Sequence, residues 1–380
     1  MRLFVTGHSS RFGGGISVAQ NLITAFGNVA PEHRYFFTIP PRLGYEASCQ
    51  IAPQSEVLIY EQWGLMDRWI WERFRLPAVM RTFKPDVIFN MANRGFTSCT
   101  VPQATLIQDT HLFYPNSQYG EISLLERFKF WYHRHHLKKS LKSTQLLFCQ
   151  NDFAAARIRE CYGTGFKIAI CPNQLSRFTQ KMVAGMPEPL QTLDGKFKLF
   201  MPTRYYSHKN LEIVLPLFEL HSQALHEVVF ILTISPDQHP NAARLLENVK
   251  KRGLERNIIT VGPLKQEELA TYYTYTDALF LPTLLESSSG AYIKAMHFGR
   301  PILTSDTDFT RAFCCGAALY FNPRDTSDIC RAILELRDKP KLRQKLVENG
   351  EVCRQSQSLS WNEIGLGVIR ELESLASYNR

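Results

Sequence analysis

The sequence predicts an α/β protein of two domains, each a parallel sheet wrapped by helices. Three observations predict it. Short apolar runs alternate with helical patterns along the chain, as in strand-helix-strand units. The runs are apolar enough to be buried on both faces, as strands of a parallel sheet are. The length, 380 residues, exceeds one ordinary core and suits two domains of about 150–200 residues.

Residues 3–6 read as the first strand, and Phe12, Gly13, Gly14 and Gly15 as a turn into a helix over 16–26. Further strands are expected at 86–90, 104–108, 145–149 and 167–170, the last closed by Cys171-Pro172-Asn173. From 176 to 194 the periodicity lapses and Pro187 and Pro189 appear, which marks a linker. The pattern then restarts with strands at 197–201, 228–233, 258–261, 278–281 and 301–304. Helices are expected between them, at 210–220, 242–252 and 266–274. Trp361, Ile364, Val368, Leu372 and Leu375 share one helical face, so the chain should close on a helix. The expected domains are 1–180 and 181–360, with 361–380 packing back on the first.

Bulk composition narrows the function classes. Hydrophobic residues make up 44% and charged residues 21%, which excludes disorder. No run approaches the ~18 apolar residues of a membrane span. The opening residues are too short in apolar length for a signal peptide, so a cytoplasmic protein is expected. The nine cysteines are odd in number and lack a Cys-x-x-Cys pair, which argues for free thiols. The net charge of +9 is uneven: residues 1–180 hold 20 Lys/Arg against 12 Asp/Glu, and residues 181–380 hold 24 against 23. The first half should face something anionic.

The segment Glu286-Ser287-Ser288-Ser289-Gly290-Ala291, ahead of a helix carrying Lys294, is the strongest candidate site. Small residues there expose backbone N–H groups at a helix start, which suits a phosphate. Glu286 follows a strand end, where open α/β sheets bind ligands, and can accept hydrogen bonds from sugar hydroxyls. Gly299 and Pro301 should end the helix. The plain alternative is a serine-rich helix cap beside a surface Glu.

Arg204 and Lys209 lie five apart after the first strand of the second half and can converge on a diphosphate. Fixed cations there lower the barrier to a diphosphate leaving group. The alternative is a solvated basic loop. In the first half, Asp109 and His111 run off a strand end and can orient or deprotonate an acceptor hydroxyl; a structural loop role is the alternative. Gly14 and Gly15 allow close ligand approach or simply a tight turn.

Residues 127–142 hold six Lys/Arg, three His, four aromatics and no acid. As a helix this run can lie on an anionic membrane surface, meet an acceptor, or form a plain solvated face. Nucleic acid is not expected, because no recognised motif accompanies the charge. His133, His135 and His136 lack a metal-ligand spacing.

Together these segments resemble the large retaining glycosyltransferase family four, group 1, which includes many bacterial mannosyl- and rhamnosyltransferases. The resemblance covers most of the chain and is strongest over 197–323. It rests on Glu286 with the following helix, on residues 299–306 and 317–323, on Arg204 and Lys209, and on Val261-Gly262. Residues 149–153 and 170–173 resemble the family's last strands of the first domain. The resemblance implies the GT-B fold, two Rossmann-like domains facing across a cleft. It implies retaining, metal-independent transfer from a nucleotide-sugar donor to a glycan or lipid-linked acceptor in cell-surface polysaccharide or lipopolysaccharide synthesis. No cofactor is implied beyond the co-substrate, and the enzyme would sit in the cytoplasm or on the inner membrane face. Arg204 and Lys209 then bind the diphosphate, Glu286 the donor sugar, and Val261 and Gly262 the nucleotide base. Two positions depart from the family pattern. Lys294 stands where a second Glu usually binds the ribose, and a Lys cannot accept those hydrogen bonds. Gln108 precedes Asp109 where the family often has His. The alternatives are a non-catalytic paralogue that binds a nucleotide or a partner transferase, and a nucleotide-sugar epimerase.

Overall fold

The computed structural model describes residues 1–377 other than 12, 62–66, 68–69, 92, 121, 176–184 and 357. The chain forms two compact units. One comprises Met1–Tyr114, Ser123–Gln174 and Leu359–Arg380; the other comprises Pro115–Ile122 and Leu175–Ser358.

Among its described residues the first unit has seven strands: β1 (Arg2–Thr6), β2 (Arg34–Ile39), β3 (Ser55–Ile59), β4 (Val87–Asn90), β5 (Gln103–Ile107), β6 (Leu146–Cys149) and β7 (Lys167–Ile170). They pair in parallel in the order β3-β2-β1-β4-β5-β6-β7. Both faces are covered. Leu3 and Val5 pack with Phe26, Val368 and Leu372 on one side, and Phe4 packs with Trp71 and Ile88 on the other. The sequence reading lacks β2 and β3. β3 is an edge strand with Val57 and Ile59 exposed, so burial imposes no continuous apolar run on it.

The first long helix spans Gly13–Val29, not 16–26. Gly13, at φ +52°, opens the helix, so Gly14 and Gly15 lie in its first turn rather than in a loop. Phe12, the start of the expected turn, lies outside the described residues. The last helix, Trp361–Ser377, packs on Gly13–Val29 through buried Ile364, Val368 and Leu372. A Cβ at Gly365 would come within 2.6 Å of the Ala25 Cβ, so glycine permits the close crossing. His33 Nε2 lies 2.9 Å from a Glu373 carboxylate oxygen, and Lys167 Nζ 2.5 Å from one of Glu371.

The basic run forms the helix Leu124–Ser140, three residues earlier than 127 at its start. Ser123 and Glu126 form a capping box that sets this start: Ser123 Oγ accepts from Glu126 N, and Ser123 N donates to the Glu126 carboxylate. A short 3-10 turn, Leu141–Ser143, follows.

The second unit holds β8 (Phe197–Met201), β9 (Val228–Leu232), β10 (Ile258–Thr260), β11 (Ala278–Leu281), β12 (Ile302–Ser305) and β13 (Ala318–Phe321). They pair in parallel in the order β10-β9-β8-β11-β12-β13. Of the expected linker, residues 176–184 lie outside the described residues, and Glu188–Gln191 forms a helical turn. The helix expected at 210–220 is Val214–His221, preceded by a 3-10 turn at Leu211–Ile213. The helices Asp308–Cys314, Thr326–Asp338 and Pro340–Ser356 are absent from the sequence reading.

In each sheet the strand order reverses once, between β1 and β4 in the first and between β8 and β11 in the second. The carboxyl ends of strands at such a switch point are where open α/β sheets take ligands. All nine cysteines are free. Among the described residues no helix is long and apolar enough to cross a membrane.

Candidate active site

The second sheet's switch point is where the predicted charges meet. The loop after β8 carries Arg204 and Lys209, and the loop after β11 carries Glu286, five residues beyond Leu281. Lys209 Nζ donates to Glu286 Oε2, and each side chain is only 12% exposed. Two charges removed this far from water must compensate each other or a ligand. Ser287 N also approaches Glu286 Oε1, at 3.4 Å.

Backbone bonds fix the two loops to each other. Leu284 N donates to His208 O at 2.7 Å, and Thr283 Oγ1 lies 3.1 Å from His208 O and 2.7 Å from Leu285 O. Asn210 takes a left-handed φ of +55°, and its Nδ2 donates to Pro323 O at 2.8 Å. Tyr119 stands edge-on to His208 at 5.7 Å, and a Cβ at Gly120 would lie 3.2 Å from Ser207 O. The sequence reading found none of these supports. A left-handed Asn after a 3-10 turn and a glycine pressed on a carbonyl leave no signal until the loops are seen together.

The helix after Glu286 spans Gly290–His297. It ends as expected. Gly299 N donates to Met296 O at 3.2 Å and Arg300 N to Ala295 O at 2.8 Å, with Gly299 at φ +60°. This is the Schellman arrangement, with Pro301 beyond it. The start differs from the serine-cap alternative: Ser289 makes no side-chain cap bond. Ser288 Oγ is buried without a hydrogen-bond partner among the described residues. An uncapped helix start beside an unsatisfied hydroxyl is a ready acceptor of an anion.

Lys294 is half-buried on this helix, and its ammonium makes no ion pair or hydrogen bond among the described residues. Desolvation lowers its ammonium to about 8. Arg204 is exposed, and its charge adds a small pull to the Ser235 and backbone hydrogen bonds that hold the Asp237 carboxyl below its usual range. Val261 and Gly262 follow β10 at the sheet edge, with Gly262 at φ +73° and open space beside its Cα. Gly14 and Gly15 likewise have nothing within 4 Å of a built Cβ.

In the first unit, Asp109 and His111 follow β5 rather than the switch-point strands. Asn93, itself at φ +65°, accepts the backbone N–H of Gln108 and of Asp109, at 2.5 and 2.9 Å. Asp109 is exposed to solvent yet crowded by protein. The resulting desolvation raises its carboxyl to about 6, against a smaller opposing pull from Arg94. His111 sits 2.9 Å by Nε2 from His133 Nδ1 and stacks on Phe130 at 4.8 Å. Arg134 Nε donates to His111 O at 2.6 Å. Desolvation first, then Arg134 and Arg94, push its imidazole down to about 3, so it is neutral at pH 7. The helix Leu124–Ser140 thus supplies His133, Phe130 and Arg134 as the setting of His111, which sequence spacing did not reveal. Among the described residues, no group of three or more His, Cys, Asp or Glu side chains gathers as a metal site would require.

Comparison with known proteins shows what this chain resembles. Residues 186–352 match the family model of glycosyl transferases group 1. The chain is 21% identical over 188 residues to the alpha-monoglucosyldiacylglycerol synthase of Acholeplasma laidlawii. That match covers 49% of this chain and 46% of the relative, so the chain spans about half the length of the curated relative it matches. The fold is similar to sucrose-phosphate synthase from Thermosynechococcus elongatus, with a TM-score of 0.74 at 14% identity over 100% of both chains. It is also similar to HepE of Anabaena in complex with UDP and glucose, with a TM-score of 0.73 at 12% identity over 98% of this chain and 100% of that one. The two parallel sheets flanked by helices are those of GT-B glycosyltransferase structures. Residues 186–352 thus resemble glycosyl transferases group 1, within a chain that has the GT-B fold.

Proposed function

We propose that this protein moves a sugar from a nucleotide-diphosphate sugar to a glycan or lipid-linked acceptor. The observation that carries the reading is the desolvated Lys209–Glu286 pair at the second switch point, beside an uncapped helix start. The group 1 match over the same residues supports it, as does the solved complex of a similar fold with UDP and glucose. The lipid product named for the Acholeplasma relative supports a lipid-linked acceptor.

In this reading the pair holds both charges until donor binds. The diphosphate then takes Lys209, the N–H groups of Gly290 and Ala291, and the hydroxyls of Ser288 and Ser289. Glu286 turns to the sugar hydroxyls. As the sugar–oxygen bond breaks, negative charge grows on the diphosphate, and the fixed donors lower the barrier. Arg204 reaches the same phosphates by closing from its exposed position. Lys294, which lacks an anion, adds a positive charge near the phosphates in place of a ribose acceptor. Val261 and Gly262 border the base, and Gly14 and Gly15 leave room for the donor. Asp109, ionised above about pH 6, takes the acceptor proton; the neutral His111 orients it. We further read the transfer as metal-independent and retaining, with a role in cell-surface glycan synthesis at the cytoplasmic membrane face.

A screen of UDP-, GDP- and dTDP-sugars with purified protein and membrane extract, read by mass spectrometry, tests this. A sugar-bearing product is expected with at least one donor. Lys294 in place of Glu favours one other reading, a non-catalytic nucleotide or partner binder. Calorimetric binding of a nucleoside diphosphate without turnover of any donor selects that reading instead.

A further inference from the structure

The helix Leu124–Ser140 has two faces of opposite character. Inward, Phe130 and His133 meet His111, and Leu137 and Ser140 are buried. Outward, Leu124, Phe128, Trp131 and His135 fall on one line at steps of four, three and four residues. Leu124 is 83% exposed, Phe128 55% and Trp131 56%, with Leu125 beside them at 63%. Phe128 packs on Trp131 at 5.7 Å, and Trp131 stacks on His135 at 5.4 Å. A contiguous ridge of large apolar groups in water marks a contact surface.

The ridge is rimmed by cations. Arg127, Lys129, Lys138 and Lys139 are all exposed. The single acid of the helix, Glu126, is held by Ser123 in the capping box. A second copy of this surface would bring like charges together. A nucleic acid would use the rings, but Leu124 and Leu125 offer nothing to a base. An apolar ridge with a cationic rim and exposed aromatics has the make-up of a helix lying in an anionic lipid interface.

We propose that this face docks the protein on an anionic bilayer. Leu124, Leu125, Phe128 and Trp131 enter the headgroup boundary, and the four cations meet lipid phosphates. The proposal stands apart from the transfer reading. Where both hold, the helix that rests on lipid also sets His111, so a lipid-borne acceptor arrives beside the residues proposed to receive it.

Flotation of the full chain with vesicles tests it, using phosphatidylcholine alone and phosphatidylcholine with about one third phosphatidylglycerol in ~0.1 M salt. The chain should float with the anionic vesicles and remain behind with the neutral ones. The double variants F128A/W131A and K138E/K139E should each cut the bound fraction by about tenfold or more. Their thermal unfolding should match the parent, because all four side chains are exposed. Absence of flotation, or equal flotation of parent and both variants, overturns the proposal. So does concentration-dependent self-association, or RNA binding that displaces vesicles, when it is abolished by the same substitutions. Donor hydrolysis without vesicles is measured in parallel: if every protein lacks it while flotation holds, the transfer reading fails and the membrane surface stands.

Discussion

The two switch points share a topology and differ in chemistry. At β1 and β4 several polar groups pair within the unit, and the loops beyond carry two cations, Arg11 and the buried Arg94. His8 Nδ1 lies 2.8 Å from Thr38 Oγ1, Tyr45 donates to Ser10 O at 2.7 Å, and Thr6 Oγ1 donates to Asn90 at 3.2 Å. Gly7 lies so close to Met91 and Thr38 O that an added Cβ would stand 3.1 and 3.3 Å from them. At β8 and β11 a lysine and a glutamate are held out of water against each other, beside an unsatisfied hydroxyl and an uncapped helix start. The lesson is that the fold supplies the position and the loops decide how its charge is held: as a closed ion pair in the second unit, as cations in the first.

The largest test breaks that charge. Lys209→Ala or Glu286→Ala should lower donor turnover by about 100-fold or more, equivalent to ~2.7 kcal/mol of barrier. Unchanged rates in both variants reject the assignment. Each single change also strands a desolvated charge, so the double variant should be more stable to denaturant than additivity predicts.

The next test separates the units by stability. Gly365→Val forces side-chain bulk against Ala25 and should destabilise the first unit by about 1–3 kcal/mol, read by hydrogen exchange. Gly367, with nothing within 4 Å of a built Cβ, is the control. Gly367→Ala should leave stability equal or raise it by up to ~1 kcal/mol, as alanine outranks glycine in a helix. Protection lost from the second sheet in Gly365→Val would contradict the placement of the last helix.

The third test concerns the first unit, at the end of β5. With the Asp109 carboxyl raised to about 6, turnover should fall as pH drops through 6, where the base gains its proton. Asp109→Asn should lose about tenfold at pH 7 and show no such limb. A limb that survives in the variant assigns it to another group.

The smallest effect is at Lys294. Its ammonium lies near 8 rather than 10.5, so the folded chain holds fewer protons than the unfolded one between those values. Parent stability should therefore rise with pH across that window, and below it the buried charge is carried at a loss. Lys294→Met should recover about 1 kcal/mol at pH 7 after allowance for partial exposure. It should also weaken nucleoside-diphosphate binding several-fold by calorimetry. Tighter binding in the variant would show that the cation opposes the ligand.

Much of the second unit was legible. The runs at 197–201 and 278–281 are strands with those bounds, because parallel strands buried on both faces must be apolar throughout. Gly299 and Pro301 marked a helix end that the backbone forms as a Schellman turn. The edge strand β3 and the late helices were not legible, because half-exposed elements carry mixed residues. Ser123 and Glu126 are a capping box that starts the helix at Leu124, three residues ahead of the basic run.

The sequence by itself determined the alternation of strand and helix, the two sheets it builds, and which residue types stand at the loop ends. Those follow from local pattern, since burial and backbone geometry select residues over a few positions at a time. Only the tertiary structure decided that Lys209 meets Glu286 while Arg204 stays in solvent, that Phe130 and His133 close around His111, and that Leu124, Phe128 and Trp131 face outward. Those are long-range pairings and exposures, set by how separated segments pack, and no local periodicity encodes them.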